Sequence, residues 1–170
     1  MYPLLRLGRV TLAAWWGRRL DPLEESRLRL RVWLGDLDTN LHLNNGRFLT
    51  LMDLGRWDLA VRSGMLRLML AQRWQPLVGG VLIRFRRPLP PLRTFCLGTR
   101  LLGWDHKWFF LEQRFEQHGR LKAKALVRFL VRRRGENLPP EEVAAALGYP
   151  RPSPPLPAAV RRWREMEALV

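Results

Sequence analysis

The chain is poor in several of the residues that carry familiar chemistries. It has one cysteine, Cys96, in 170 residues. That excludes an intramolecular disulfide and any cysteine-based metal site, and it suits a reducing compartment, so a cytoplasmic location is expected. Serine occurs only at 26, 63 and 153, never in a Gly-x-Ser-x-Gly elbow, which removes serine-hydrolase chemistry of that type. No Gly-x-x-x-x-Gly-Lys stretch is present to cradle phosphates. Histidines 42, 106 and 118 show no ligand spacing, so neither a metal nor a cofactor is expected. No run of 18 apolar residues exists to form a spanning helix.

Lysine is confined to 107, 122 and 124, yet the formal net charge is +15, so the positive charge is almost all arginine. Such a chain favours anionic partners, or simply carries a solvated arginine-rich face. Nucleic acid is not the partner expected, because the arginines are spread over strands instead of being gathered on one helix or interleaved with exposed aromatics. The length and the 47% hydrophobic content fit one ordinary globular domain with a real core. Residues 1–26 form a basic, apolar N-terminal segment. A helix packed on its own domain is the reading preferred for it, and peripheral contact with a membrane surface is the alternative.

Hydrophobic periodicity organises the rest of the chain. Arg27–Leu34 alternates, with Leu28, Leu30, Val32 and Leu34 on one face, and predicts a half-buried strand. A helix is predicted from about Gly46 to Ser63, with Phe48, Leu51, Met52, Gly55 and Leu59 as its stripe and Asn44 or Asn45 as its cap. Gly64 breaks it, and Met65–Arg73 reads as a second, short helix. Alternation then marks strands over 78–87, 94–102, 108–115 and 121–132, with a tight turn at His118-Gly119. Four strands joined by short links predict an antiparallel meander in an α+β fold, its curved sheet wrapping the long helix. Small Ala123 and Ala125 are expected to let strand and helix approach closely. The domain is read as 27–134, followed by a proline-rich extension over 135–170 with short helices at 140–147 and 158–170.

The loop from 36 to 46 concentrates the polar chemistry. Asp36, Asp38, Asn40, His42, Asn44 and Asn45 stand between two apolar elements, and six such side chains are costly unless they bond each other or a ligand. The helix after the loop offers first-turn amides without intrahelical partners and the positive end of its dipole. The N–H groups of Asn45 and Gly46 could stabilise an oxyanion, with Gly46 leaving room for a substrate. Asp38 can serve as general base or nucleophile. In an extended loop Asn40 and His42 would share its side, one to position a carbonyl or carboxylate, the other to hold a proton or orient a water. Asp36 and Asn44 read as structural, with Asn44 also adjoining the substrate position. Asp53 and Arg56 are spaced for a helical ion pair. Asp53 lies too far along the helix to act with Asp38 of its own chain, though not with that of a second copy.

Asp36, Asp38, His42, Asn44 and Asn45 match an Asp-x-Asp-x-x-x-His-x-Asn-Asn pattern, and Asp53-Leu54-Gly55-Arg56 matches an acidic-x-x-Arg pair. In these features the chain resembles the hot-dog-fold thioesterases, in particular the 4-hydroxybenzoyl-CoA thioesterase-like branch. The spacing of Asp38, Asn40 and His42 is similar to that in plant acyl-ACP thioesterases. The resemblance covers about 27–134. It implies a hot-dog fold, hydrolysis of an acyl-CoA or acyl-ACP thioester, Asp38 as catalytic carboxylate, and the Asn45 N–H as the group that polarises the carbonyl. It further implies a homodimer or dimer of dimers with sites between subunits, Asp53, Asn44 and Gly46 falling on the substrate side. The plant enzymes add a glutamate after the helix. Here no carboxylate occurs between Asp58 and Asp105, so Asp38 with His42 carries the chemistry, and a non-catalytic acyl-CoA or lipid-binding protein is the alternative. A basic field of Arg84, Arg86, Arg100, Arg114, Arg128 and Arg132 is expected on the outer face of the strands, part of it attracting the CoA phosphates.

Overall fold

A computed structural model describes residues 4–167. The elements run α1 (Leu4–Trp16), β1 (Ser26–Arg31), α2 (Asn45–Arg62), α3 (Met65–Gln72), β2 (Trp74–Phe85), β3 (Thr94–Trp104), β4 (Phe109–Gln117), β5 (Arg120–Arg133), β6 (Glu136–Asn137), α4 (Pro140–Ala146) and α5 (Ala158–Glu167). The strands form one antiparallel sheet in the order β1-β3-β4-β5-β2, with β6 added on β5. The α+β architecture read from the sequence is therefore present, with α2 as its central helix.

Period-two patterning sends Phe95, Leu97 and Thr99 of β3, Leu111, Gln113 and Phe115 of β4, and Ala123, Ala125 and Val127 of β5 inward, where all are buried. They meet Phe48, Leu51, Met52 and Leu59 of α2 in the main core. The predicted stripe of α2 is thus its buried face. Helix and sheet approach closely at Gly55, and the two alanines are buried in the same core. A β-carbon there would stand 2.5 Å from Thr99 Oγ1 and 3.0 Å from Gln113 Nε2.

Two boundaries differ from the sequence reading, and a third is not covered by the described residues. β1 ends at Arg31, and Leu34 is exposed in a single 3-10 turn over Leu34–Asp36, because Val32 is the last residue to exchange backbone bonds with Leu92 and Arg93. β2 begins at Trp74, four residues early. Pro76 obscured it, and is tolerated because β2 is a sheet edge that needs no donor on its free side. The final helix is described to Glu167, and the last three residues of its predicted span lie outside the described residues.

The outer face of the sheet is the larger correction to the expected basic field. Glu112 is buried there among Arg100, Lys124 and Arg114. Arg114 also pairs with Glu25, and Arg128 with Glu167. Burial alone would raise the Glu112 pKa, but the Lys124 and Arg100 bonds outweigh it and hold the group below its ordinary range. Next to this network Phe110 and Leu126 are covered by Val160 and Trp163 of α5. The C-terminal extension is thus folded onto the sheet, and α1 is packed on α2 through Val10 and Ala14.

Candidate active site

The polar loop is a tight turn, not the extended segment expected. The Asp38 N–H donates to the His42 carbonyl at 2.9 Å, the Leu41 N–H to the Asp38 carbonyl at 3.1 Å, and Leu37 bridges Leu43. Leu41 adopts a left-handed φ of 56° to close it. The turn folds Asp38 back beside the residues that enter α2. Its Oδ1 accepts the N–H groups of Asn40 (2.9 Å) and His42 (3.3 Å). Among the described residues, Oδ2 has no hydrogen bond, and no bond joins the His42 ring or the Asn40 amide to the carboxylate. The shared side expected for Asp38, Asn40 and His42 is therefore replaced by main-chain contacts to Asp38.

Asn44 caps α2, its Oδ1 accepting from the Gly46 N–H at 2.8 Å, while its carbonyl takes the N–H groups of Arg47 and Phe48. Of the two amides proposed as oxyanion donors, Gly46 is thus engaged by the cap. Among the described residues the Asn45 N–H has no hydrogen-bond partner, and Asn45 is exposed at the head of the helix.

Asp36 is structural, as its position implied. It is buried, pairs with Arg6 at 2.6 Å and Arg47 at 2.8 Å, and accepts the Trp33 N–H at 2.9 Å. Burial pushes its pKa up, but the Trp33 N–H and the two guanidinium groups pull harder, and the carboxyl lies below its ordinary range. This triad ties α1, the loop and α2 together, so the loop is held from both sides.

Asp53 stands elsewhere. With Arg56 it lines a cavity of about 290 Å³ whose walls are Trp57, Leu59, Val78, Leu101, Phe109, Phe129 and other apolar groups. The loop residues do not line it. Asn45 and Asp53 are separated by about 12 Å along the helix axis. The Asp53–Arg56 pair expected from the spacing is formed. Sequence reading missed what supports it. Gln113 Oε1 accepts from Arg56 at 2.9 Å, and its Nε2 donates to the Met52 carbonyl and to Thr99 Oγ1, each at 2.9 Å. The one signal for it in the sequence was a polar residue at an inward position between Leu111 and Phe115.

Among the described residues no cluster of His, Cys, Asp and Glu could hold a metal ion. The cations without an acidic partner among the described residues include Arg84, Arg86 and Arg87, all exposed at the far end of β2. That end adjoins the head of α2. Phe85 meets Phe48 of the first helical turn edge-on at 5.1 Å, and the Leu43 N–H donates to the Leu89 carbonyl at 3.0 Å.

The model of the thioesterase-like superfamily matches residues 32–163, and the chain belongs to that superfamily. Protein THEM6 of Danio rerio is 40% identical over 95 residues, covering 56% of this chain and 47% of its own. The chain spans about half the length of the curated relatives it matches. The crystal structure of the probable thioesterase YbaW from Escherichia coli superposes with a TM-score of 0.64 at 26% identity, covering 72% of this chain and 95% of its own. That of hypothetical protein TT1821 from Thermus thermophilus does so with a TM-score of 0.66 at 23% identity, covering 75% and 98%. The fold is the hot-dog fold that the sequence resemblance implied.

Proposed function

We propose that this member of the thioesterase-like superfamily hydrolyses an acyl thioester to a free acid and a thiol. The observation that carries the reading is that, among the described residues, the Asn45 N–H and Asp38 Oδ2, both on the segment that leads into α2, make no hydrogen bond. The thioester oxygen sits on the Asn45 N–H, where the helix dipole adds positive potential, and one such donor is typically worth about 10²–10³ in rate. Asp38 takes a proton from the attacking water, or attacks the carbonyl carbon itself. The tetrahedral intermediate then collapses with cleavage of the C–S bond. In the first route the proton taken from water passes to the departing thiolate. In the second the acyl group stays on Asp38 as a mixed anhydride, which water hydrolyses to the free acid while its proton neutralises the thiolate. Asn40 and His42 border the entering substrate, and Asn44 and Gly46 shape the helix head it meets.

Acyl-CoA is the favoured substrate and acyl-ACP the second. Both present anionic groups, and Arg84, Arg86 and Arg87 are cations near the helix head that have no acidic partner among the described residues. The apolar cavity suits an acyl group, with Asp53 at its polar margin. Its distance along α2 from Asn45 is bridged in a homodimer. β2 is a free edge with Leu77, Val78, Val81, Leu82 and Phe85 exposed, and Pro76 and Val78 of that edge also line the cavity. A second copy pairing there covers the apolar edge and brings another α2 toward the cavity.

Binding without hydrolysis is the second reading, favoured by the lack of any side-chain bond from His42 or Asn40 to Asp38. The test is Asp38→Asn. Asparagine Oδ1 still accepts both N–H groups, so the turn and the fold persist, while release of thiol from a panel of acyl-CoAs falls by about 10²–10⁴. Unchanged turnover refutes the assignment. Tight binding by the unaltered protein with no thiol released transfers it to the second reading.

A further inference from the structure

The outward face of α1 is left unexplained by the reaction. Leu7, Val10, Thr11 and Ala14 face the domain. On the opposite side Leu5, Leu12 and Trp16 follow at helical spacing with exposures of 89%, 57% and 80%, flanked by Leu4 and by Trp15 at 72%. A helix face turned to water in a globular domain is normally polar. We propose that α1 is an interfacial helix which seats the protein on a bilayer surface carrying anionic lipid.

Charge selects this occupant. Residues 1–20 contain no acid. Arg6 is committed to Asp36 and Arg18 to Glu24, but exposed Arg9 and Arg19 have no acidic partner among the described residues. A second copy laid on this face would set Arg9 and Arg19 against their own counterparts in a protein of formal charge +15, whereas anionic headgroups complement them. Two exposed tryptophans beside arginines are the side chains that settle at the headgroup level, their rings apolar and their N–H groups wet. Trp33 and Leu34 are also exposed, and the Arg6 guanidinium of α1 lies 5.9 Å over the Trp33 ring.

The helix is braced for this. Arg6 is tied to Asp36 just ahead of α2, and the Leu20 N–H donates to the Arg62 carbonyl at the far end of α2, so α1 runs alongside α2 in the same direction. Trp57 donates from Nε1 to Thr11 Oγ1 at 2.8 Å and also lines the apolar cavity. On the thioesterase reading, the cavity thus lies one side chain from the docked helix, which suits substrates with membrane-soluble acyl chains. The docking itself does not depend on that reading.

The test is sedimentation of the full chain with extruded vesicles, one set of phosphatidylcholine alone and one with phosphatidylglycerol added. The protein is expected to pellet with the phosphatidylglycerol vesicles, and raised salt is expected to release only part of it. Leu12→Ser with Trp16→Ser should weaken partitioning about tenfold or more. Arg9→Glu with Arg19→Glu should do so by a similar factor, and only for the anionic vesicles. Circular dichroism should be unchanged in both, since these side chains face outward, and the charge variant stands alone should the serine variant misfold. The proposal falls if the unaltered protein stays in the supernatant with both vesicles, or if both variants bind as it does. It falls too if the serine variant instead lowers the oligomeric state in light scattering, which would assign the face to a second copy. Because binding is read directly, an inactive enzyme that still pellets leaves the docking standing and overturns only the reaction.

Discussion

The backbone of Gly55 passes under the hydroxyl of Thr99 so closely that a single added methyl would lie 2.5 Å from Thr99 Oγ1. Here α2 touches the sheet, and Leu97 and Gln113 close the same spot from either side. Gly55→Ala would gain about 1 kcal/mol in helix propensity. Overpacking of about 1–3 kcal/mol works against it, because the blocking groups are buried and held in place. The net expectation is a lower midpoint in urea unfolding and a raised KM, since Gln113 also holds Arg56 beside the cavity.

Leu41 offers the reverse case. It is 66% exposed and held at φ 56°, a region that costs an L-residue roughly 1–2 kcal/mol. Leu41→Gly should therefore stabilise the turn, offset in part by the greater freedom of glycine in the unfolded chain. A rise in Tm with turnover retained is expected. A fall would show that the exposed leucine is held by contacts beyond its own chain.

Arg86→Ala with Arg87→Ala should raise KM for acyl-CoA several-fold and flatten its salt dependence. It should leave an N-acetylcysteamine thioester, which lacks phosphates, unaffected. Steady-state kinetics at two ionic strengths reads both arms. An equal effect on the two substrates would remove these arginines from the phosphate path.

The Asp36 triad sets a pH limit. Its folded pKa lies below the unfolded value, so the stability it contributes is fully present above the unfolded pKa and is lost as pH falls through the folded one. Stability should drop in the acid range below about pH 4. In Asp36→Asn that part of the slope should vanish, with lower stability at neutral pH because Arg6 and Arg47 lose their shared counter-charge. Urea midpoints measured across the acid range decide the matter.

Sequence periodicity carried the fold well where one face is apolar. The stripe of α2 and the central inward residues Phe95, Leu97, Thr99, Ala123, Ala125 and Val127 follow it, while Leu101, Leu121 and Phe129 toward the strand ends are only half-buried. The His118-Gly119 turn was legible because both residues take positive φ, 50° and 70°, as a two-residue hairpin requires. Pairing across the sheet was not legible. Glu25 meets Arg114 only once register is known, so arginines that looked free on paper are neutralised from 89 residues away. The candidate loop was visible as composition, but its shape was not. One leucine in a left-handed conformation turned an expected row of side chains into a ring of main-chain contacts around Asp38.

The strap formed by α5 has a consequence for architecture. Phe110 and Leu126 would otherwise present an oily stripe in the middle of the sheet's convex back, and Trp163 and Val160 shut it, with Arg128 lying over the Trp108 and Trp163 rings. A neighbouring molecule that tried to stack its own sheet there would first have to peel this strap away. That part of the back is thereby covered by the chain's own last helix, while the edge of β2 and the tryptophans of α1 stay exposed.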